Sequence, residues 1–218
     1  MHGEIADIAF MANQLAGDEA AGGETHEEFF VSLIERAKTG DAAAFEQMML
    51  CTERRVARVA WRILGNREDA RDATQEVFMR AFKYLHRFDS AQGFHGWLYR
   101  ITVNVCRDMQ RKSRPYEDKH AVSLNTQCSM LDARTAADDT EAIAVQAQRR
   151  TIVARALDTL PEKERAAIVL RDLEGLSTEE VARVLGSSQA TVRSQISTAR
   201  AKIKLYCERF LKQKRPLR

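Results

Sequence analysis

The segment Ser177 to Arg200, STEEVARVLGSSQATVRSQISTAR, restricts the fold more than any other stretch of the chain. Ser177 and Glu180 have the S-x-x-E spacing of a capping box, which predicts a helix starting at Thr178. Val181, Ala182 and Leu185 give that helix an apolar stripe, and Gly186 stands where a residue with positive φ must end it. Ser188 can cap a second helix, on which Val192, Ile196, Ala199 and Ile203 share one side. The outward side carries Arg193, Ser194, Ser197 and Thr198, with Arg200, Lys202 and Lys204 beyond. Two short helices around a glycine turn, the second basic and hydroxylated outward, make a helix-turn-helix, the unit that lays a recognition helix in the major groove of DNA. An ordinary helical hairpin with a solvated face has the same local pattern, so the rest of the chain must decide.

The chain has 218 residues and only three prolines, which allows one or two domains and favours α structure. Its net charge of +3 matters less than where the charges lie. Residues 1–28 hold seven acids and no Lys or Arg, a net −7, and read as a solvated run. Residues 100–114 sum to +4 and residues 200–218 to +7, two separate basic patches that suit a polyanion. Cys51, Cys106, Cys128 and Cys207 are widely spaced, with no C-x-x-C and no His in a zinc-finger pattern. They read as reduced thiols, with Cys51 and Cys106 in core or half-buried positions and Cys128 as a chance exposed thiol rather than a redox sensor. No cofactor and no metal is expected. No apolar run reaches the ~20 residues of a membrane span, and the start lacks a signal-peptide pattern, so no membrane insertion and a cytoplasmic location are expected.

Periodicity divides the chain into two helical units. Residues 1–25 read as an acidic, poorly ordered extension. Between 26 and 113 four helices are expected: one marked by Phe29, Phe30, Leu33, Ile34 and Ala37; one capped by Asp41 and ended by Gly65; one from about Asn66 to Arg87; and one from about His95 to Lys112. Residues 114–140 have few apolar positions and no helical period, and read as a linker. The pattern resumes over 141–212, with Pro161 at a first helical position and Glu162 and Glu164 in that first turn, and ends in a basic tail, 213–218. The fold class is therefore all-α, two helical domains joined by a flexible linker.

The third helix has a polar strip beside its apolar stripe. Asp69, Asp72, Gln75, Glu76 and Met79 recur at spacings of three and four, with Phe78 behind them. A solvated helix face explains such a strip, and so does a surface that docks a partner.

Four segments, taken together and in order, resemble the bacterial extracytoplasmic-function (ECF) sigma factors, the minimal group of the sigma-70 family. They are EDARDATQEVFMRAF (68–82), FHGWLYRITVNVCRD (94–108), LPEKERAAIVLRDLEGLSTEEVARVLG (160–186) and TVRSQISTARAKI (191–203). The resemblance covers about residues 29–210. It implies that the Asp69, Asp72, Gln75, Glu76, Phe78 and Met79 surface matches region 2.2, which docks core RNA polymerase at the β′ coiled coil. It implies that the 94–112 helix handles the −10 element of promoter DNA. There Trp97 and Tyr99 would offer flat surfaces to unstacked bases, and Arg100, Arg107, Arg111 and Lys112 cations to the backbone, Arg114 following. Trp97 also lies on the apolar side, where a core anchor is the simpler reading. Asn104 would meet a base edge, and the loop Asp89, Ser90, Ala91, Gln92, Gly93, Phe94 would pocket a flipped base. The second domain matches region 4, which reads the −35 element and meets the β flap. Ser188, Thr191, Arg193, Ser194, Ser197 and Thr198 would face DNA, and Arg200, Lys202 and Lys204 would contact phosphates. Arg193 is the candidate for a bidentate guanine contact. Gln195, Ser197 and Thr198 stand where many relatives have arginine or bulkier residues, and His95 where arginine is commoner. The family also implies control by an anti-sigma factor. The acidic linker, −4 over 117–145, would thread toward the RNA channel.

Two rivals remain. A conventional helix-turn-helix regulator would bind duplex DNA without polymerase, with a sensor or dimer helix in 26–113. An enzyme would need a nucleophile–base pair, a metal-ligand spacing or a phosphate-binding glycine loop, none of which the sequence offers; three carboxylates on one exposed helix face rarely converge on Mg²⁺.

Overall fold

A computed structural model describes residues 23–89, 93–117 and 151–213, and the side chains of 30–89, 93–112 and 151–210. Among the described residues there is no strand. In chain order the helices are α1 (Gly23–Lys38), α2 (Ala42–Leu64), α3 (Arg67–Tyr84), a 3₁₀ turn (Leu85–Arg87) and α4 (Phe94–Glu117). There follow α5 (151–158), α6 (Glu162–Ile168), a π turn (Val169–Leu173), α7 (Thr178–Leu185) and α8 (Gln189–Gln213).

The first four helices pack through the stripes their spacing predicts. On α2 the buried positions are Ala44, Met48, Thr52, Val56, Val59, Ala60 and Ile63, a run of threes and fours that α1, α3 and α4 cover. Asp41 caps α2 by accepting from the Ala44 N–H, and Gly65 closes it in the left-handed region at φ 72°. Asn66 caps α3 through the Glu68 N–H. Three threonines enter this core without leaving a bare hydroxyl. Thr52, Thr74 and Thr102 each donate to the carbonyl four residues back, at 2.8, 2.7 and 2.9 Å. Phe30, Phe88, Phe94 and Trp97 pack ring on ring at centroid separations of 5.2–5.5 Å, tying α1 and the 3₁₀ corner to the start of α4.

The second domain is smaller and its turns are the expected ones. Ser177 and Glu180 exchange both capping-box bonds, at 3.2 and 2.7 Å, and Gly186 adopts φ 61°. Ser188 Oγ accepts from the Thr191 N–H at 3.1 Å, and Val192, Ile196, Ala199 and Ile203 are buried. Between α6 and α7 the helix widens. The Glu174 N–H reaches back five residues to the Val169 carbonyl at 3.0 Å, and Gly175 then takes φ 76°.

The structure differs from the sequence expectations in five places. The first helix begins at Gly23, inside the stretch read as an acidic extension. The helix expected to reach Arg87 ends at Tyr84 and passes into the 3₁₀ turn. The helix expected to stop at Lys112 runs on to Glu117, into the stretch read as linker, while the rest of that linker lies outside the described residues. Pro161 occupies the N-cap rather than the first helical position. Cys51 is exposed, because it lies off the buried α2 stripe, whereas Cys106 is fully buried and its thiol is pushed up to about 12 by desolvation. Residues 1–22, Cys128 and the 214–218 tail lie outside the described residues.

Candidate nucleic-acid interface

Helix α8 presents Arg193, Ser194, Ser197 and Thr198 to solvent on the side opposite its buried stripe. Ser188 and Thr191 are exposed at its start, and their hydroxyls bond to each other at 2.8 Å. Arg193 Nη2 donates to Gln189 Oε1 one turn earlier at 3.2 Å. Arg171, Thr178, Arg193, Ile196, Ser197 and Arg200 line an open cleft of about 280 Å³ along this face. The expected phosphate contacts are less free than the sequence suggests. Arg200 makes a two-pronged bond to Asp172 at 2.7 and 2.9 Å, which raises its pKa further. Lys202 bonds both oxygens of Glu164 at 2.9 Å, and Lys204 lies 3.9 Å from Glu208.

On α3 the structure brings Asp69, Asp72, Gln75 and Met79 together as a half-exposed to exposed strip, with Phe78 buried behind. Met79 is 61 % and Phe82 62 % exposed, so the acidic strip borders bare apolar surface. Glu76 is held differently. Arg80 donates to it from Nε at 2.7 Å and from Nη1 to Asp108 of α4 at 2.9 Å, pinning α3 to α4.

The basic face of α4 splits in two. Arg100, Asn104, Arg111 and Lys112 are exposed, and the first three share one helical side. Tyr99 and Phe94 are buried, at 4 % and 7 % exposure, and Trp97 is half-buried against Phe88 and Phe94. Tyr99 therefore offers no open platform in this conformation. Arg107 lies 3.3 Å from Glu162 of α6. Of the loop, Asp89 and Gly93 are exposed, while Ser90, Ala91 and Gln92 lie outside the described residues.

At Tyr99 the first domain meets the second. Glu174, at the end of the π turn, inserts a side chain only 4 % exposed between α2 and α4. Its Oε1 accepts from Arg62 Nη1 at 2.7 Å and its Oε2 from the Tyr99 hydroxyl at 2.9 Å. Burial and the Glu174 carboxylate both hold the Tyr99 phenol well above the usual tyrosine range. Arg165 joins the seam by donating to the Ile63 carbonyl at 2.9 Å and to the Asp158 carbonyl at 2.7 Å. Its burial lowers the guanidinium pKa. Sequence reading missed Arg58, Arg62 and Glu174. The signal for the arginines was present, since Arg55, Arg58 and Arg62 recur at three and four on α2. Glu174 had no such signal, because its partners lie more than seventy residues away.

Family models for Sigma-70 region 2 and Sigma-70 region 4 match residues 48–115 and 150–203. The ECF RNA polymerase sigma-E factor of Escherichia coli K12 is 34% identical over 174 residues, 78% of this chain and 90% of that protein. The chain belongs to the extracytoplasmic-function sigma factors. A longer relative, the ECF RNA polymerase sigma factor SigE of Mycolicibacterium smegmatis, is 37% identical over 180 residues, and this chain covers 64% of its length. Among solved structures, CnrH in complex with the cytosolic domain of CnrY aligns at TM-score 0.57 and 28% identity, over 81% of this chain and 95% of that one. The sigma factor RpoE of Bartonella quintana, solved with the anti-sigma factor NepR, shares the fold at TM-score 0.58 and 22% identity, over 75% and 96%. Within the ECF sigma factor, α3 and nearly all of α4 fall in the region 2 match, and the helix-turn-helix falls in the region 4 match. No helix among the described residues is long and apolar enough to cross a membrane.

Proposed function

We propose that this ECF sigma factor joins core RNA polymerase through the α3 strip and directs it to promoters with two DNA-reading faces, α4 for the −10 element and α8 for the −35 element. The observation that carries this reading is a pairing of opposites: an acidic and apolar strip (Asp69, Asp72, Gln75, Met79) on one domain and a basic, hydroxyl-bearing helix face (Arg193, Ser194, Ser197, Thr198) on the other. The strip fits a basic helical partner such as the β′ coiled coil, where complementary charge speeds and orients docking. The second domain would be placed by the β flap. Held at a fixed separation on the enzyme, individually weak DNA contacts reinforce each other by effective concentration. In this reading the chain supplies binding energy and no chemistry, needs no cofactor, and works in the cytoplasm. An anti-sigma factor is its expected regulator, as NepR is the partner of the Bartonella sigma factor.

Run-off transcription from a promoter library, with core polymerase plus or minus this chain, tests the proposal. Promoter-specific transcripts should require the chain, and Asp72→Arg should remove them together with co-purification of β′. Tight binding of a duplex operator by a polymerase-free dimer would overturn it.

A further inference from the structure

The seam between the two domains is built like a site for a different ligand. Arg58 and Arg62 on α2 and the Tyr99 hydroxyl on α4 converge on one carboxylate, that of Glu174. Two of these donors are engaged, but Arg58 Nε lies 3.8 Å from Glu174 Oε1, is buried, and makes no hydrogen bond. A planar carboxylate offers two oxygens, and Arg62 and Tyr99 use one each. A tetrahedral phosphate pairs with guanidinium as a carboxylate does and offers further oxygens in a third direction, toward Arg58. The same helix carries the exposed Arg100 and Asn104 on another of its sides. A little further along α4, Glu162 of the second domain sits on Arg107 in the same way, at 3.3 Å. Two carboxylates of the second domain thus meet α4, one at the Tyr99 hydroxyl and one at Arg107, and the first also rests on the α2 arginines.

We infer that Arg58, Arg62 and the Tyr99 hydroxyl form a binding site for a backbone phosphate of single-stranded DNA, which Glu174 occupies as a carboxylate surrogate while the two domains are closed on each other. The inference rests on the proposed promoter-reading function of α4 and adds a phosphate subsite and an internal competitor to it. All three donors stand on α2 and α4, which pack on each other within the first domain, so their backbone positions do not depend on the second domain. In the closed form Tyr99 and Arg107 are withheld from DNA, so apparent affinity for a single strand is reduced by the fraction of molecules that are open. Placement of the second domain elsewhere, as on a polymerase, withdraws Glu174 and frees the site.

The test uses the full chain and a fluorescein-labelled 12-nucleotide single strand of mixed sequence, with binding read by anisotropy across a salt series. Glu174→Gln should bind the strand several-fold more tightly than the parent chain and show a larger radius of gyration by small-angle X-ray scattering. Arg62→Ala breaks the same interdomain bond, so it should expand the molecule equally, yet it should bind the strand more weakly and with a salt slope shallower by about one. Those opposite signs separate a ligand site from a mere fastening. Glu162→Gln, which releases Arg107, should act in the direction of Glu174→Gln. Unchanged affinity in Glu174→Gln would overturn the inference, as would an Arg62→Ala chain that binds as tightly as Glu174→Gln. Run-off transcription by the parent chain separates the two readings: promoter-specific transcripts with unchanged strand binding in Glu174→Gln sink the subsite alone, and their absence sinks the promoter-reading function itself.

Discussion

The two domains expose different chemistry. The first leaves Val31, Leu50, Met79, Phe82 and Tyr84 bare, whereas among the described large apolar residues of the second only Leu205 is. Its polar strip on α3 keeps Asp72 and Gln75 exposed, while the second domain has already paired Arg200 with Asp172 and Lys202 with Glu164. Apolar surface next to free charge suits a protein partner that buries area. Cations held on a rigid scaffold suit a polyanion, for which position matters more than desolvation. On the proposed function, the difference would give the stronger, apolar-assisted contact to the first domain and the orienting contact to the second.

The largest effect should come from reversing charge in the middle of the α3 strip. Asp72→Arg places a cation against a basic partner and should abolish both co-purification of β′ and promoter-dependent run-off. Because Asp72 is exposed, the melting curve should stay where it was. Retained co-purification would move the docking surface off α3 and break the comparison at its first term.

Next come the cores. Leu33 and Leu170 are fully buried, one in each domain. Truncation to alanine should destabilise by about 2–5 kcal/mol in either place. The seam through Glu174, Arg62 and Arg165 couples the domains, so both variants should shift one shared urea transition. Two separate transitions, one moved by each variant, would show that the seam transmits nothing.

Arg193→Ala tests how finely the second domain reads sequence. If Arg193 makes a two-pronged guanine contact, its loss should cost about 1–3 kcal/mol on a cognate −35 element and almost nothing on a mismatched one. Competition run-off on paired promoters gives both numbers. Equal losses on both would make Arg193 a phosphate contact.

The sequence made the helix-turn-helix legible down to its caps, because a capping box and a left-handed glycine are local devices that need no distant partner. The stripes of α2, α3 and α4 were legible for the same reason. What stayed hidden was set at long range. Tyr99 is buried and its hydroxyl bonds Glu174, a partner seventy-five positions later that no local pattern marks. Cys51 shows a smaller failure. It precedes Thr52 by one residue, about 100° around the helix, and so falls outside a stripe defined by Met48, Thr52 and Val56. Composition marked it as a core thiol; phase made it a surface one.

The smallest effect concerns the charge already paired on the second domain. Arg200 is half exposed and bound by Asp172 in two bonds, an arrangement that contributes at most about 1 kcal/mol to stability. Asp172→Asn removes the competing charge and keeps the side-chain shape. The chain should fold as before, and duplex −35 DNA should bind a few-fold more tightly, with a salt slope steeper by about one as Arg200 takes up a phosphate. If Asp172 instead serves to aim Arg200, the same variant should bind more weakly, since an unheld guanidinium loses entropy on docking. The sign of one affinity change therefore says whether the second domain holds its cations back from DNA or holds them ready for it.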